Sequence, residues 1–145
     1  MNRLIMGLIA LVMLLGRIPI QKESTEVLDL NMVEKYEFNV ILLDDFSETA
    51  IHIEDAEDVR EMNAFLGQAV VINHSGDSCD CVYLDSVRIY LLDGRELFFG
   101  IERNEVDSFN FSNYSLSVIR FEDKSYDELM NFVKTLGEVS SGQSE

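Results

Sequence analysis

The stretch "SVRIYLLDGRELFFGIE", Ser86 to Glu102, constrains the fold more than any other part of the chain. Val87, Ile89 and Leu91 recur at a period of two before Asp93 and Gly94, and Leu97, Phe99 and Ile101 do the same after them. A period of two gives a strand one buried face. Asp-Gly suits a two-residue hairpin turn, because Gly accepts positive φ and Asp is among the few other residues that tolerate it. Two strands joined this tightly pair antiparallel, which sets the character of the whole sheet.

Other segments add to this hairpin. In "KYEFNVILL", Tyr36, Phe38, Val40 and Leu42 share one side of a strand, and "AIHIE" follows as a second short strand after the turn-forming "DDFSE". "DAEDVREMNAFLG" reads as a helix with Asp55 as N-cap, Glu57 and Asp58 in its first turn and Gly67 as its stop; Val59, Met62, Phe65 and Leu66 form its apolar stripe. "RNEVDSFNFSN" reads as a polar, aromatic connection leading to a further strand, "YSLSVIRF". "SYDELMNFVKTLG" is a second amphipathic helix, with Ser125 and Glu128 as a capping box and Gly137 as its stop. The expected fold is α+β: a single antiparallel sheet of about five strands with two amphipathic helices packed on one face. Tyr90, Leu92 and Phe98 point to the other face, which is more apolar than solvent requires and is available for a ligand, another copy or an extra strand around Val70 to Ile72.

At 145 residues and 47% hydrophobic, the chain has material for one packed core and one domain. It opens with Arg3, an apolar run from Leu4 to Gly16, then Arg17 and Pro19, the anatomy of a signal peptide or, uncleaved, of an N-terminal membrane anchor. The expected organisation is a signal peptide or anchor over 1–20, a linker over 21–26, the α+β domain over 27–137 and a flexible tail over 138–145. Export would place the domain in an oxidising compartment, periplasmic, secreted or at the cell surface.

With 27 acidic against 11 basic residues the net charge is −16, and loss of residues 1–20 removes two arginines and no acid. Such a field repels phosphate backbones and anionic headgroups, so nucleic acid and anionic lipid are not expected partners; it attracts a basic protein or peptide. Candidate contacts are the acids Asp44, Asp45, Asp55, Glu57 and Asp58. They do not follow the alternating oxygen-ligand pattern around a Gly that an EF-hand needs. Arg88, Arg95, Arg103 and Arg120, on or beside strands, are expected to pair with surface acids.

The densest chemistry lies in "NHSGDSCDCVYLD", Asn73 to Asp85. Cys79 and Cys81 would stand about 6.5 to 7 Å apart in an extended strand, at the upper limit for a disulfide, so a bridge requires the chain to bend. Ser75, Gly76, Asp77 and Ser78 are turn formers that permit it. His74, Cys79 and Cys81, with Asp77 or Asp80 as a fourth, are alternatively a soft metal ligand set, although structural zinc sites usually draw paired ligands from two places. Two ordinary thiols are the remaining reading. Gly76 to Ser78 is similar to the start of the motif of GDSL-type hydrolases, but in that family the catalytic His follows the Ser, and here both His residues precede it. No Gly-rich phosphate loop, "GxSxG" or "HExxH" is present.

The expected function is therefore that of a small exported, acidic, non-catalytic binding protein of inhibitor, immunity or accessory type, acting without a cofactor through a sheet face or edge and its negative surface. The alternatives are a cell-envelope thiol or metal protein built on Cys79 and Cys81, and a membrane-anchored accessory subunit.

Overall fold

A computed structural model describes residues 23–41, 48–76, 78–104 and 106–141. The apolar start, 1–20, and the acids Asp44, Asp45 and Asp77 lie outside the described residues. In chain order the elements are β1 (Ser24–Asp29), a 3-10 turn (Leu30–Met32), β2 (Val33–Ile41), β3 (Glu48–Ile53), α1 (Ala56–Leu66), β4 (Ala69–His74), β5 (Ser86–Leu91), β6 (Glu96–Arg103), β7 (Phe109–Ser112), β8 (Ser117–Phe121), α2 (Tyr126–Leu136) and β9 (Glu138–Ser141).

All strand pairs are antiparallel and form one sheet in the order β1-β4-β8-β7-β6-β5-β2-β3-β9. Eight strands precede α2 and a ninth follows it, which corrects the expectation of about five. The additional strands are short or start from polar sequence. Ser24 to Glu26, read as linker, form half of β1 and pair with β4. Phe109 to Ser112, read as connection, are β7, with Phe109 and Phe111 buried and Asn110 between them. Glu138 to Ser141, read as a tail, pair with β3.

Residues directly opposite in antiparallel strands face the same side. Tyr36 lies opposite Ile53 and Ile89, Val87 opposite Phe99, and Phe109 opposite Phe121, so one face of the sheet is continuously apolar. Both helices pack toward this inner face, α1 against β2 and β4 and α2 against β3, and they meet each other through Phe65 and Phe132, stacked 4.4 Å apart. The Tyr36 hydroxyl donates to Asn63 Oδ1 at 2.6 Å, which satisfies two polar groups inside the core.

The helix ends follow local chemistry. Asp55 accepts from the Glu57 and Asp58 N–H groups, and Ser125 with Glu128 closes a reciprocal capping box. Gly67 stops α1 in the left-handed region at φ +112°. Gly137 stops α2 in extended backbone instead, and it must be Gly because a Cβ there would strike Ile51 Cγ2.

The β5–β6 turn is longer than the two residues expected. Leu91 N–H donates to the Arg95 carbonyl, leaving Leu92, Asp93 and Gly94 in the loop with Gly94 at φ +91°. A type I turn followed by a left-handed Gly matches strand twist as well as the shorter primed turn does. Asp93 accepts from the Arg95 N–H, which locks the turn.

Candidate functional site

The eleven-residue connection Ser75–Asp85 leaves β4 near one edge of the sheet and enters β5 at its centre. It must cross β8, β7 and β6, and it does so on the face away from the helices. The register shows this: Phe99 and Ile101 point inward, so a side chain at Gly100 would point outward, and its Cβ would fall inside the Tyr83 ring. The Tyr83 ring therefore sits against the sheet where Gly100 leaves room. Tyr114 packs beside it at 5.4 Å and stacks on Phe98 at 6.1 Å, and the Cys79 N–H donates to the Tyr114 carbonyl. The apolar outer face noted in the sequence is thus partly covered by the chain itself, while β4, with Val70 to Ile72, is a member of the sheet.

Within this strap Cys79 and Cys81 form a disulfide with Cα atoms 5.2 Å apart. The backbone there is irregular, and the bend shortens the separation that an extended strand would impose. Beyond the bridge, Val82 and Leu84 are held out, 87% and 74% exposed. Tyr83, between them, turns to the sheet. Its hydroxyl is buried without a hydrogen-bond partner among the described residues, and burial first, then the charge of Glu102, pushes its pKa up.

Asp85 ends the strap and fastens three elements. Its Oδ1 accepts from the Ile41 N–H at the end of β2, its Oδ2 accepts from the Tyr126 hydroxyl in the first turn of α2, and its carbonyl accepts from the Ile101 N–H. Burial, then the Asp85 carboxylate, raises the Tyr126 pKa well above the ordinary tyrosine value. Arg103 lies 4.5 Å over the Tyr126 ring and donates to Asp127 at 2.9 Å.

These residues enclose a cleft of about 560 Å³ at one end of the central strands. Ile41, Val82, Leu84 and Ile101 supply its apolar walls; Asp85, Glu102 and Arg103 supply charge. A second depression of about 360 Å³, with Val106 and Asp127 on its rim, shares Arg103 and Tyr126 with the first. The two form a groove with the Arg103–Tyr126 stack as its saddle. Its size falls in the range that holds small ligands or a few side chains.

The residues expected to act from sequence are distributed differently. Ile41 pairs with Glu48, whereas Ile53 pairs with Tyr36, so Asp55, Glu57 and Asp58 lie beyond the opposite end of β2, at least about 17 Å of strand from the cleft. Asp55 is occupied as a helix cap. His74 turns its Nδ1 to Ser117 Oγ at 2.7 Å and its Nε2 to Glu26 at 3.2 Å. This acid–His–Ser chain has the partners of a hydrolytic triad, but Ser117 is only 5% exposed and its own N–H is already donated to Asn113. Among the described residues no group of three His, Cys, Asp or Glu could hold a metal, and the two sulfurs are bonded to each other. The metal reading of His74, Cys79 and Cys81 with Asp77 gains no support.

Arg88, Arg95 and Arg103 pair with Glu96, Asp93 and Asp127. Val82, Leu84, Asp85 and Tyr126 drew no attention in the sequence as a group. The one available signal was "VYL" after the cysteines, an apolar run too short and too isolated to be assigned to core or surface. Among the described residues no helix is long and apolar enough to cross a membrane. The chain matches no family model, no curated protein and no solved structure, so its site is read from its own geometry.

Proposed function

We propose that the chain is a small exported, non-catalytic binding protein, of inhibitor, immunity or accessory type, that holds a basic protein or peptide. The observation that carries this reading is the exposure of Val82 and Leu84, next to the Cys79–Cys81 disulfide, beside an open cleft. Large aliphatic side chains held in water add nothing to folding, and grouped at a cleft they mark a contact surface. The charge of −16 adds long-range attraction for a basic partner and a rapid, salt-sensitive encounter. The disulfide accords with an oxidising compartment.

The test has two parts. The intact mass of protein from its native cells, after alkylation without reduction, should show a shortened and unalkylated chain; a full-length mass with two alkylated thiols would remove export from the reading. The partner cross-linked in those cells should be basic, and its association rate should fall at least tenfold between about 50 and 500 mM salt. An acidic partner, or a rate indifferent to salt, would remove the electrostatic basis.

A further inference from the structure

Resting on that reading, we propose that the cleft between the strap and α2 is the anchor site for one apolar side chain, of Leu or Phe size, from an extended segment that carries Lys or Arg on either side of it. The apolar part of the chamber is lined by Ile41, Ile101 and the protruding Val82 and Leu84. Such a chamber gains from taking a hydrophobic side chain out of water, in proportion to the area covered.

Charge selects what flanks that side chain. Among the described residues, the groove is lined by the carboxylates Asp85, Glu102 and Asp127 and by one guanidinium, that of Arg103. Arg103 is already bonded to Asp127 and laid over Tyr126, and both oxygens of Asp85 are engaged. Among the described residues Glu102 accepts only from the Ser112 hydroxyl, at Oε2, so its remaining capacity presents negative charge on the rim beside the paired Arg103 and Asp127. An anionic segment would meet this excess of carboxylate; a cationic one complements it. In an extended segment alternate side chains lie about 6.8 Å apart on one side, so one residue can enter the chamber while its neighbours reach the rim. Asp85, bonded to Ile41, Tyr126 and Ile101, holds the strap end next to Leu84 before binding, which lowers the ordering cost of association.

The experiment uses the full, oxidised, ¹⁵N-labelled chain and three synthetic nonapeptides: four lysines on each side of a central Leu, the same with a central Ala, and four glutamates on each side of Leu. The expected result is saturable shifts centred on Ile101, Glu102 and Tyr126 with the lysine–Leu peptide, an affinity about tenfold weaker with Ala, and no binding of the glutamate peptide. Val82→Asp with Leu84→Asp should abolish the preference for Leu. Val27→Asp, at an equally exposed position on β1, should leave it intact.

Equal binding of both lysine peptides, with shifts spread over the acidic surface, would overturn the anchor site and leave the basic-partner reading standing. Binding of the glutamate peptide in the cleft would leave an apolar site while overturning the cationic selection and the basic-partner reading together. Failure of all three peptides to bind would overturn both.

Discussion

The two faces of the sheet are covered in different ways. The inner face carries two capped helices over a continuous core, and its buried polar pair, Tyr36 and Asn63, is mutually satisfied. The outer face carries an irregular strap whose tyrosine lies on a glycine with its hydroxyl unpaired. Each face needs one glycine for close approach, Gly137 against Ile51 within and Gly100 beneath Tyr83 without. The inner cover thus closes the core, whereas the outer cover is an irregular layer of the kind that binding surfaces are drawn from.

The largest expected contrast is between aromatic truncations on the two sides. Phe111→Ala removes a fully buried ring that packs against Phe99, Phe109 and Phe121, and should cost about 3–5 kcal/mol in urea unfolding. Tyr114→Ala removes a ring that is half exposed and should cost about 1 kcal/mol. Comparable losses would mean that the outer layer in which Tyr114 packs on Tyr83 and Phe98 belongs to the main cooperative unit.

Next come the two glycines. Gly137→Ala drives a methyl group into Ile51 Cγ2 and toward the Val133 carbonyl, and should cost about 1–3 kcal/mol. Gly100→Ala should instead displace Tyr83, at under about 1 kcal/mol globally, since the strap can lift from the sheet. Hydrogen exchange would show faster opening near Tyr83 with β5 and β6 still protected; loss of protection in both strands would contradict the layered picture.

Alkaline titration separates the faces again. Burial raises the Tyr36 pKa, so the native state keeps a proton that the unfolded chain releases. This contribution is complete below about pH 10, the ordinary tyrosine value, and is lost as pH rises above it. Tyr36→Phe should lower stability at pH 8 by about 1–2 kcal/mol by leaving Asn63 Oδ1 unpaired, and flatten the decline above pH 10. A slope as steep as that of the unaltered chain would show that other groups govern the alkaline limb.

The smallest expected effect has the opposite sign. Tyr83→Phe deletes a buried hydroxyl that has no partner and should stabilise by up to about 1 kcal/mol. A loss of stability would indicate that the hydroxyl is satisfied by water in solution.

Elements with their own local signal were legible in the sequence. Val87 to Ile101 showed its hairpin through alternation and Asp93-Gly94, and both helices showed their caps at Asp55 and Ser125. β7 escaped because four residues with Asn110 between two Phe residues carry too little alternation to stand apart from a polar connection. β1 escaped because its start is polar and exposed, so that Ser24, Thr25 and Glu26 look like linker until β4 is known to lie beside them, and β9 because it is four residues long in a polar sequence. The reason for Gly137 was also hidden: position suggested a left-handed stop, but the backbone is extended and the need is space. At the site, the sequence pointed to Cys79 and Cys81 and to the acids. It missed Asp85 and Tyr126, forty-one residues apart, because their meeting depends on where α2 docks.

By itself, the sequence determined the antiparallel character of the sheet, the two capped helices, the acidity and the proximity of the two cysteines, all of which rest on interactions within a few residues or on composition. Tertiary structure alone decided that nine strands form one sheet, that Ser75 to Asp85 crosses its outer face, and that Val82 and Leu84 come to flank a cleft closed by Tyr126. Those outcomes depend on strand order and register, which place residues from distant parts of the chain within van der Waals reach, and no local periodicity encodes them.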